Sequence, residues 1–320
     1  MLIAAAAILA ACSNEPIATP EPEPQNRNAL SFTYQNYTPV PTTYAEIALD
    51  QEKMVRDIDI WMFSGGSVVK RLAEGAGSDY TETSNGTTTT VTMTQTFLDT
   101  YKGQVLTFYF VGNNSASTGG KHITSFSGSE AQFADLLTTP LADGAQPGKA
   151  ENIMIAPSTG GLLMTAKSAP ILLTLGKRDI TISLKRRVAR FDIVNPKPYQ
   201  YRVTEIYVSD VKVQGAMFAA GSGMAPIATR SLDKIVGPLP GDYDGTRAAC
   251  AFYLYPTELM DETIALEVEY IGASDGEKEL FTLADDTHVS IEANKRYTLT
   301  LNAADLTFTV GVDDYEDVDL

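Results

Sequence analysis

The side chains that could carry out acid–base or metal chemistry are few and lie far apart in this sequence. There are two histidines, His122 in a glycine-rich stretch and His288 near a strand-like run, which are too few for a histidine-rich metal site. Both are predicted to be surface residues rather than catalytic bases. The sequence contains no nucleophile elbow, zinc-protease helix, phosphate-binding loop or dinucleotide fingerprint. It therefore predicts no catalytic residue, no metal and no cofactor.

Two clusters of charged residues have both a chemical and a structural interpretation. Asp242 and Asp244 in the run GDYDG are similar to part of a calcium loop, but the other oxygen ligands and the closing Glu are missing, so a tight turn is favoured. Arg186, Arg187 and Arg190 could bind an anionic group. In a chain with 40 acidic residues, pairing with carboxylates where two domains meet is favoured instead. A glycosidase-type pair of carboxylates is neither indicated nor excluded.

The two cysteines have different settings. Cys12 follows an apolar run, residues 2–11, that closes with Leu-Ala-Ala and is followed by Ser, Asn, Glu and Pro. Such a run is too short to span a bilayer and suits the apolar part of a signal peptide. Its ending is similar to the lipobox of bacterial lipoproteins, which implies removal of residues 1–11 and diacylation of Cys12; an ordinary secretory signal is the alternative. No Lys or Arg precedes the run, so the true start could lie upstream. For Cys250, in an apolar run, a buried inert thiol is predicted rather than a catalytic thiolate.

Charge and length limit the partners and the number of domains. The net charge is −16, from 40 acidic and 24 basic residues. A chain of this charge repels nucleic acid and anionic membrane faces, so neither is expected as a partner. The 320 residues suffice for about two domains.

The order of elements predicts an all-β protein. Residues 12–28 are rich in Pro, Glu and Asn and predict a flexible tether. Beyond them, short alternating runs separated by Gly, Asn, Asp and Pro predict roughly fourteen strands; residues 87–97 are predicted as one of these. One helix is predicted, because Ser129 and Gln132 form a capping box. It is expected to cover a sheet edge or the end of a sandwich.

The apolar positions of residues 179–194 change parity near their middle. Even-numbered positions come first and odd-numbered ones follow: Ile180, Ile182, Leu184 and Val188, then Ala189, Phe191 and Ile193. One long strand that leaves one core and enters another would give this change, since successive side chains point to opposite faces. A bulge in a single strand is the alternative. We place a domain boundary near Lys185, which divides the folded part into residues 29–185 and 186–320.

Six segments follow one another in a suggestive order behind the lipobox. They are VRDIDIWMF, LTFYFVGN, GLLMTAK, ITISLKRRVARFDIV, FYLYP and IEANKRYTLTLN. In order and spacing the chain resembles the fimbrillins, the type V pilins of Bacteroidota, over residues 29–320. The resemblance implies two tandem transthyretin-like β-sandwich domains with at most one or two short helices, lipoprotein export and assembly into fimbriae. It also implies that an Arg- or Lys-specific protease removes an N-terminal strand, which a neighbour's C-terminal strand then replaces.

The two ends of the folded part carry strands with matching patterns. The first alternates Leu30, Phe32 and Tyr34 with polar residues. The last, residues 305–313, presents four apolar side chains on one face: Leu306, Phe308, Val310 and Val312. A groove built for the first strand could accept the last by strand addition. The alternative is that each strand completes its own domain.

The candidate cleavage sites depart from the family pattern. No Arg or Lys occurs between residues 36 and 52, the linker where a cut is expected. Arg27 precedes the first strand, while Lys53 and Arg56 follow the linker, Arg56 at the start of the next strand. This departure leaves room for an uncleaved subunit that acts as an anchor, an accessory or a tip.

Three classes of function remain, in order of support. The first is a structural and adhesive fimbrial subunit on the cell surface, held in the outer membrane by lipid at Cys12; its partners are other fimbrial subunits and, beyond them, host or bacterial surface ligands. The second is a monomeric surface lipoprotein that binds glycan or protein through loops. Tyr199, Tyr201, Tyr253 and Tyr255 could serve such binding, although alternating aromatics on strands more often lie in a core. An enzyme comes third.

Overall fold

The computed structural model describes residues 28–35, 54–75, 77–115, 120–140, 162–174, 176–197, 200–218, 229–232, 249–259, 263–271, 277–284 and 288–314. Regular structure in these ranges is mostly β-strand with two short helices, which confirms the predicted all-β class and the small helix content. The strands are β1 Ala29–Gln35, β2 Ile58–Ser64, β3 Ser67–Arg71, β4 Tyr80–Ser84, β5 Thr88–Met93, β6 Val105–Gly112, β7 Met164–Lys167, β8 Ile171–Leu172, β9 Lys177–Thr181, β10 Lys185–Arg186, β11 Ala189–Val194, β12 Tyr201–Lys212, β13 Thr229–Leu232, β14 Ala249–Leu254, β15 Thr257–Leu259, β16 Ile264–Tyr270, β17 Lys278–Leu283, β18 Val289–Ile291, β19 Lys295–Asn302 and β20 Thr307–Asp314. The helices are α1 Gln95–Thr100 and α2 Glu130–Ala134.

Strands β1 to β10 form two sheets that pack face to face. One sheet has the order β4-β5-β1-β9, and the other has the order β10-β7-β6-β2-β3 with β8 beside β6. Alternate side chains of the two sheets meet in what we call the first core, which contains Phe32 of β1, Met62 of β2 and Phe108 of β6. The period-two pattern of these strands explains the layering, because each strand turns one apolar face inward.

Strands β12 to β20, with β11, form a second sandwich. Their order is β13-β12-β16-β17-β20-β19-β11-β14, and β15 pairs separately with β18. The path includes two parallel pairings. In one, β11 lies beside β19 from Arg190 to Val194; in the other, which is shorter, Thr282 and Leu283 of β17 lie beside Thr307 and Phe308 of β20. Side chains from both halves of this path meet in the second core, which is a single buried cluster.

Strand β2 is buried on both faces. Ile60 and Met62 enter the first core, while Trp61 and Phe63 enter an outer cluster on the opposite side. Phe133 of α2 belongs to this outer cluster, with ring centroids 5.3 Å from Trp61 and 5.0 Å from Phe63. The helix thus covers an outer sheet face. The residues that lead into it also lie along the edge strand β3, where the Val68 N–H donates to the Gly128 carbonyl at 3.3 Å, so the prediction of an edge position is confirmed in part. The aromatic outer face of β2 and β6 gives the physical reason for the cover, since it would otherwise be exposed to water.

Helix α2 begins with the capping box that the sequence predicts. The Ser129 hydroxyl accepts a hydrogen bond from the backbone N–H of Gln132 at 3.2 Å, and the Gln132 Oε1 accepts one from the backbone N–H of Ser129 at 2.9 Å. Two of the unpaired amides at the start of the helix are satisfied in this way.

Residues 87–97 are not one strand, contrary to the prediction. Strand β5 ends at Met93, and Thr94 then caps α1 by accepting a hydrogen bond from the Phe97 N–H at 3.3 Å. A threonine hydroxyl competes with the strand ladder for backbone amides, which ends the strand here. Phe97 and Leu98 of the helix are buried in the first core.

Residues 177–194 form three short strands, β9, β10 and β11, rather than one long or one bulged strand. The buried apolar side chains up to Val188 lie in the first core, and those of Ala189, Phe191 and Ile193 lie in the second. The Asn294 side chain accepts a hydrogen bond from the Arg186 N–H at 3.1 Å, and the Asn294 N–H donates to the Val188 carbonyl at 2.9 Å. The domain limits 29–185 and 186–320 stay a prediction; Tyr255, from the second range, is buried in the first core.

Candidate functional site

The first strand fills the middle of the first core. Leu30, Phe32 and Tyr34 are all nearly inaccessible to solvent. The ring of Phe32 lies 5.0 Å from those of Phe108 and Phe110 across the sandwich. Burial of three such side chains stabilises the fold by about 1.5–3 kcal/mol each. The first strand is therefore a structural member of the core and does not detach without a large cost in free energy.

The same strand is interior to its sheet. It pairs antiparallel with β5 and parallel with β9, so that Thr33 lies between Thr90 and Thr181. The Ser31 hydroxyl donates a hydrogen bond to the Asp179 carboxylate, and the hydroxyls of Thr33 and Thr90 lie 3.3 Å apart. Loss of β1 would leave two strand edges facing each other across an apolar slot, which is the geometry that strand addition requires.

The last strand differs along its length. It pairs antiparallel with β19 over its whole extent but with β17 only at Thr307 and Phe308. Phe308 is fully buried in the second core, Leu306 and Val310 pack against that core, and Val312 is 51% exposed. The sequence predicted that these four side chains share one face of a strand, but β20 begins at Thr307 and Leu306 precedes it with a positive φ of 58°. Because β17 ends beside Phe308, the structure instead buries the beginning of the face and exposes its end.

The backbone of the segment that leads into β2, residues 54–57, is hydrogen-bonded to one buried residue, Asn113. Asn113, which has a positive φ of 57°, donates its amide to the Met54 carbonyl at 2.7 Å and to the Leu162 carbonyl at 2.8 Å. Its Oδ1 accepts the Arg56 N–H at 2.8 Å, and its own N–H donates to the Asp57 carbonyl at 3.0 Å. The Arg56 side chain is exposed, but the backbone on both sides of it is fixed. The Arg56 side chain is therefore accessible to a protease, but the backbone on either side of it must open locally before the peptide bond can be cleaved.

We expect substitution of Asn113 by glycine to expose this segment to cleavage. Glycine tolerates the positive φ but removes the side-chain hydrogen bonds, so local opening becomes easier by about 1–3 kcal/mol, which corresponds to roughly 5- to 150-fold. The measurement is the rate of tryptic cleavage after Arg56, followed by mass spectrometry under native conditions. Cleavage after Lys102, which is exposed in a turn, is the internal control. Equal acceleration at both sites would contradict the local role of Asn113.

Of the predicted arginines, Arg190 pairs with a carboxylate, as the sequence favours, whereas Arg187 does not. Arg190 and Asp192 are both buried, with the Arg190 Nε 2.8 Å from Asp192 Oδ1. Arg296 approaches the same carboxylate from β19, with its Nε 2.5 Å from Oδ2. Arg187 donates to the carbonyls of Ala216 and Phe218 at 3.1 and 2.6 Å, rather than to a carboxylate. Asp192 and Asn113 were not singled out from sequence, since nothing local marks a buried polar side chain.

The two histidines have different environments. His288 is exposed, as predicted, with its Nε2 2.8 Å from the Glu258 carboxylate. His122 is not a surface residue, contrary to the prediction: it is half-buried, and its Nδ1 accepts a hydrogen bond from the Thr139 N–H at 3.0 Å. Desolvation lowers the pKa of His122 from 6.5 to about 4. A ring that accepts from a backbone amide is neutral and structural.

The lowered pKa of His122 makes part of the stability depend on pH. Because the unfolded chain binds this proton more readily than the folded chain, the contribution is present above pH 6.5 and is lost as the pH falls toward 4. Replacement by asparagine keeps a hydrogen-bond acceptor that does not titrate. We expect His122→Asn to remove on the order of 1–2 kcal/mol of the stability difference between about pH 7 and about pH 5 in urea titrations. His288→Asn is the control, and an equal effect of both substitutions would contradict the assignment.

The tyrosines that could have formed a binding platform lie in or against the cores. Tyr255 is buried in the first core, where burial raises its pKa to about 12, and Tyr253 packs against the same core. Tyr201 packs edge-on against Tyr270, with ring centroids 5.1 Å apart. Tyr199 lies outside the described residues. The first three are therefore core and sheet residues.

Several predicted positions lie outside the described residues. These are the signal region 1–11, the tether up to residue 27 with Cys12 and Arg27, and also Lys53, Asp242 and Asp244; of Cys250 only the backbone is described. Within the described ranges, no group of three or more His, Cys, Asp or Glu side chains is arranged to hold a metal ion. The helices described there are too short to cross a membrane.

No family model matches this chain, and no curated protein matches it. Solved structures do. The fimbrial assembly protein of Parabacteroides distasonis is 11% identical, with a TM-score of 0.49 over 90% of this chain and 96% of that one. The C-terminally truncated tip fimbrial protein Mfa3 of Porphyromonas gingivalis is 12% identical, with a TM-score of 0.48 over 91% of this chain and 100% of that one. A candidate cell adhesion protein of Bacteroides uniformis is 16% identical, with a TM-score of 0.48 over 90% and 98%. The structural neighbours are thus fimbrial and cell adhesion proteins of Bacteroidota rather than enzymes.

Proposed function

We propose that this chain is a structural and adhesive subunit of a fimbria, exported as a lipoprotein and joined to its neighbours by donor-strand exchange. The observation that carries the proposal is the position of β1. It is the first described strand, it lies in the interior of its sheet, and residues 36–53 separate it from the next described segment. An interior strand at one end of the fold can be exchanged without rethreading the rest of the chain.

The replacing strand is β20 of a neighbouring subunit. Its apolar face has the same period-two spacing as that of β1, and its exposed end, at Val312, is available for a first contact. Phe308 and Val310 have to leave the second core of the donor for a complete exchange. The apolar area that they lose is regained in the slot of the acceptor, so the exchange is close to balanced in its hydrophobic term.

Cleavage in front of β2 makes the exchange irreversible. Lys53 and Arg56 are the candidate sites, whereas a cut at Arg27 would release only the tether and the lipid on Cys12 and leave β1 in place. The backbone contacts of Asn113 limit access to Arg56. This observation favours a second candidate role as well, that of an uncleaved anchor or tip subunit that remains in the outer membrane through Cys12.

Surface-sheared material on a denaturing gel, with and without boiling, tests the proposal when it is combined with N-terminal sequencing. We expect a heat-sensitive ladder and a mature start beyond Tyr37. A single band that still begins at acylated Cys12 would overturn the stalk role and leave the anchor or a monomeric surface lipoprotein.

A matched pair of variants tests the role of β20. Val312→Asp places a charge on the face that enters the slot, and Thr309→Asp places the same charge on the opposite, exposed face. Both residues are exposed in the monomer, so we expect changes in its stability of only about 0.5 kcal/mol. The ladder should disappear in Val312→Asp and persist in Thr309→Asp. Equal behaviour of the two variants would exclude β20 as the inserted strand.

A further inference from the structure

A groove of about 650 Å³ opens beside the strand that pairs with β1. One side is formed by β9 and the residues after it, Ile180 to Ser183; the other is formed by the end of β7 around Lys167 and by Lys185 of β10. Tyr109 and Phe218 contribute buried aromatic surface. The groove is thus mostly apolar and lies where the two sheets of the first sandwich separate.

The charges of this groove are opposite to those of the chain. Its described lining includes Lys167, Lys185 and Arg187 and no Asp or Glu, in a protein with a net charge of −16. The Lys167 Nζ lies 2.9 Å from Oε1 of Glu130, a residue that does not line the groove. Desolvation lowers the pKa of Arg187 to about 10, which leaves it charged at neutral pH. A cationic groove on an acidic surface attracts an acidic partner and repels most other faces of the same molecule.

The backbone of β9 adds a second element of recognition. It is an edge strand: β1 pairs with one side, and among the described residues no strand pairs with the other. In a parallel pair, alternate residues direct their N–H and C=O groups to opposite sides. The Ile182 N–H donates to the Thr33 carbonyl of β1 at 2.9 Å, so that the backbone of Thr181 faces away from β1. An extended peptide can add to such an edge.

One segment of the chain has the matching chemistry. Residues 313–320, DDYEDVDL, carry five carboxylate side chains. Val318 and Leu320 alternate with Asp317 and Asp319, so an extended conformation would direct apolar side chains to one face and carboxylates to the other. The groove offers apolar lining and cations for both faces.

The register between β1 and β9 would place this acidic segment of a donor subunit next to the groove. Thr33, near the end of β1, pairs with Thr181 of β9, at the border of the groove. A donor strand that takes the place and direction of β1 therefore ends beside Thr181. The last two residues of β20 and the residues after it in the donor form the acidic segment, 313–320.

We propose that the groove between β9 and β7–β10 binds the acidic C-terminal segment, residues 313–320, of the neighbouring subunit whose β20 replaces β1. The inference rests on the proposed donor-strand assembly, because that assembly delivers the neighbour's segment to this place. Binding of this segment in the groove would then hold the inserted strand in register.

The test is fluorescence anisotropy of a labelled DDYEDVDL peptide with the intact chain. We expect Lys185→Glu to weaken binding about tenfold and Lys167→Gln about threefold, with further weakening as NaCl rises from about 50 to about 300 mM. Lys102→Glu makes the same charge change as Lys185→Glu at an exposed turn outside the groove, and we expect less than about a twofold effect. Fluorescence of Trp61 verifies that each variant is folded.

A shuffled peptide of the same composition separates docking from general attraction of charge. We expect it to bind at least about fivefold more weakly than the native order. Equal binding of the two peptides, equal binding by Lys185→Glu and Lys102→Glu, or no binding of the native peptide would overturn the inference. These results do not depend on the ladder of the unaltered chain, whose absence would overturn the donor-strand assembly itself.

Discussion

Replacement of Phe32 by alanine should lower the free energy of unfolding of the uncut chain by about 3–5 kcal/mol. Phe32 is fully buried in β1, between the rings of Phe108 and Phe110, and alanine would leave a cavity that the two sheets cannot close. The single tryptophan of the chain, Trp61, is buried on β2, a strand of the same sandwich. Urea unfolding followed by its fluorescence therefore reports on the part of the fold that contains β1.

The control is Val312→Ala, an exposed position at the other end of the fold, for which a change within about 0.5 kcal/mol is expected. A change below about 1 kcal/mol for Phe32→Ala would mean that β1 does not complete the first sandwich in solution. A different result is expected for the assembled polymer. In subunits that have exchanged β1 for a neighbour's strand, residue 32 is absent from the core, and the substitution should leave the stability of the polymer unchanged.

Substitution of Asp192 by alanine is expected to have an effect of similar size on the second sandwich. Its carboxylate is inaccessible and lies between Arg190 and Arg296. Removal of the carboxylate takes away the negative charge that lies against the buried Arg190 guanidinium, and the loss of one partner of such a pair costs about 3–5 kcal/mol. Loss of protection in β11 and β19, measured by hydrogen exchange, together with the midpoint of urea unfolding by circular dichroism, gives the magnitude.

Two comparisons separate burial from charge pairing in this result. Glu269→Ala removes the carboxylate of an exposed pair, in which the Arg202 Nη2 lies 2.5 Å from Glu269, and should change stability by less than about 1 kcal/mol. The double variant Arg190→Met with Asp192→Leu removes both buried charges and should cost less than Asp192→Ala alone. A double variant that is less stable than the single one would show that the pair itself contributes net stability.

The two sandwiches have complementary roles in the proposed assembly. The first sandwich is completed by β1 of its own chain until a neighbour's strand replaces β1. The second sandwich contains β20, the strand that would be inserted into a neighbouring subunit. Phe308 anchors β20 in the second core, while the exposure of Val312 leaves the far end of that strand open. This gradient makes an encounter possible before the donor core is disrupted, which lowers the barrier to exchange.

The pattern of single residues determined the class of fold and the direction of the side chains. Alternation at Leu30, Phe32 and Tyr34 predicted a buried strand face, and all three side chains are buried. The pairing of Ser129 with Gln132 predicted the start of α2, and the capping box is present. These features depend on neighbours in the chain, because the periods of strands and the hydrogen bonds of caps are local.

Pairing between distant strands was decided only by the tertiary structure. The place of β1 between β5 and β9 depends on backbone hydrogen bonds, which are the same for every residue type and carry no sequence signal. The burial gradient of β20 follows from where β17 ends, and the hold on residues 54–57 follows from Asn113, far away in the chain. The interruption of residues 177–194 into three strands is of the same kind. The alternation of apolar and polar residues predicts which side of a strand is apolar. Packing against elements that are distant in the sequence determines how much of that side is covered and by which residues.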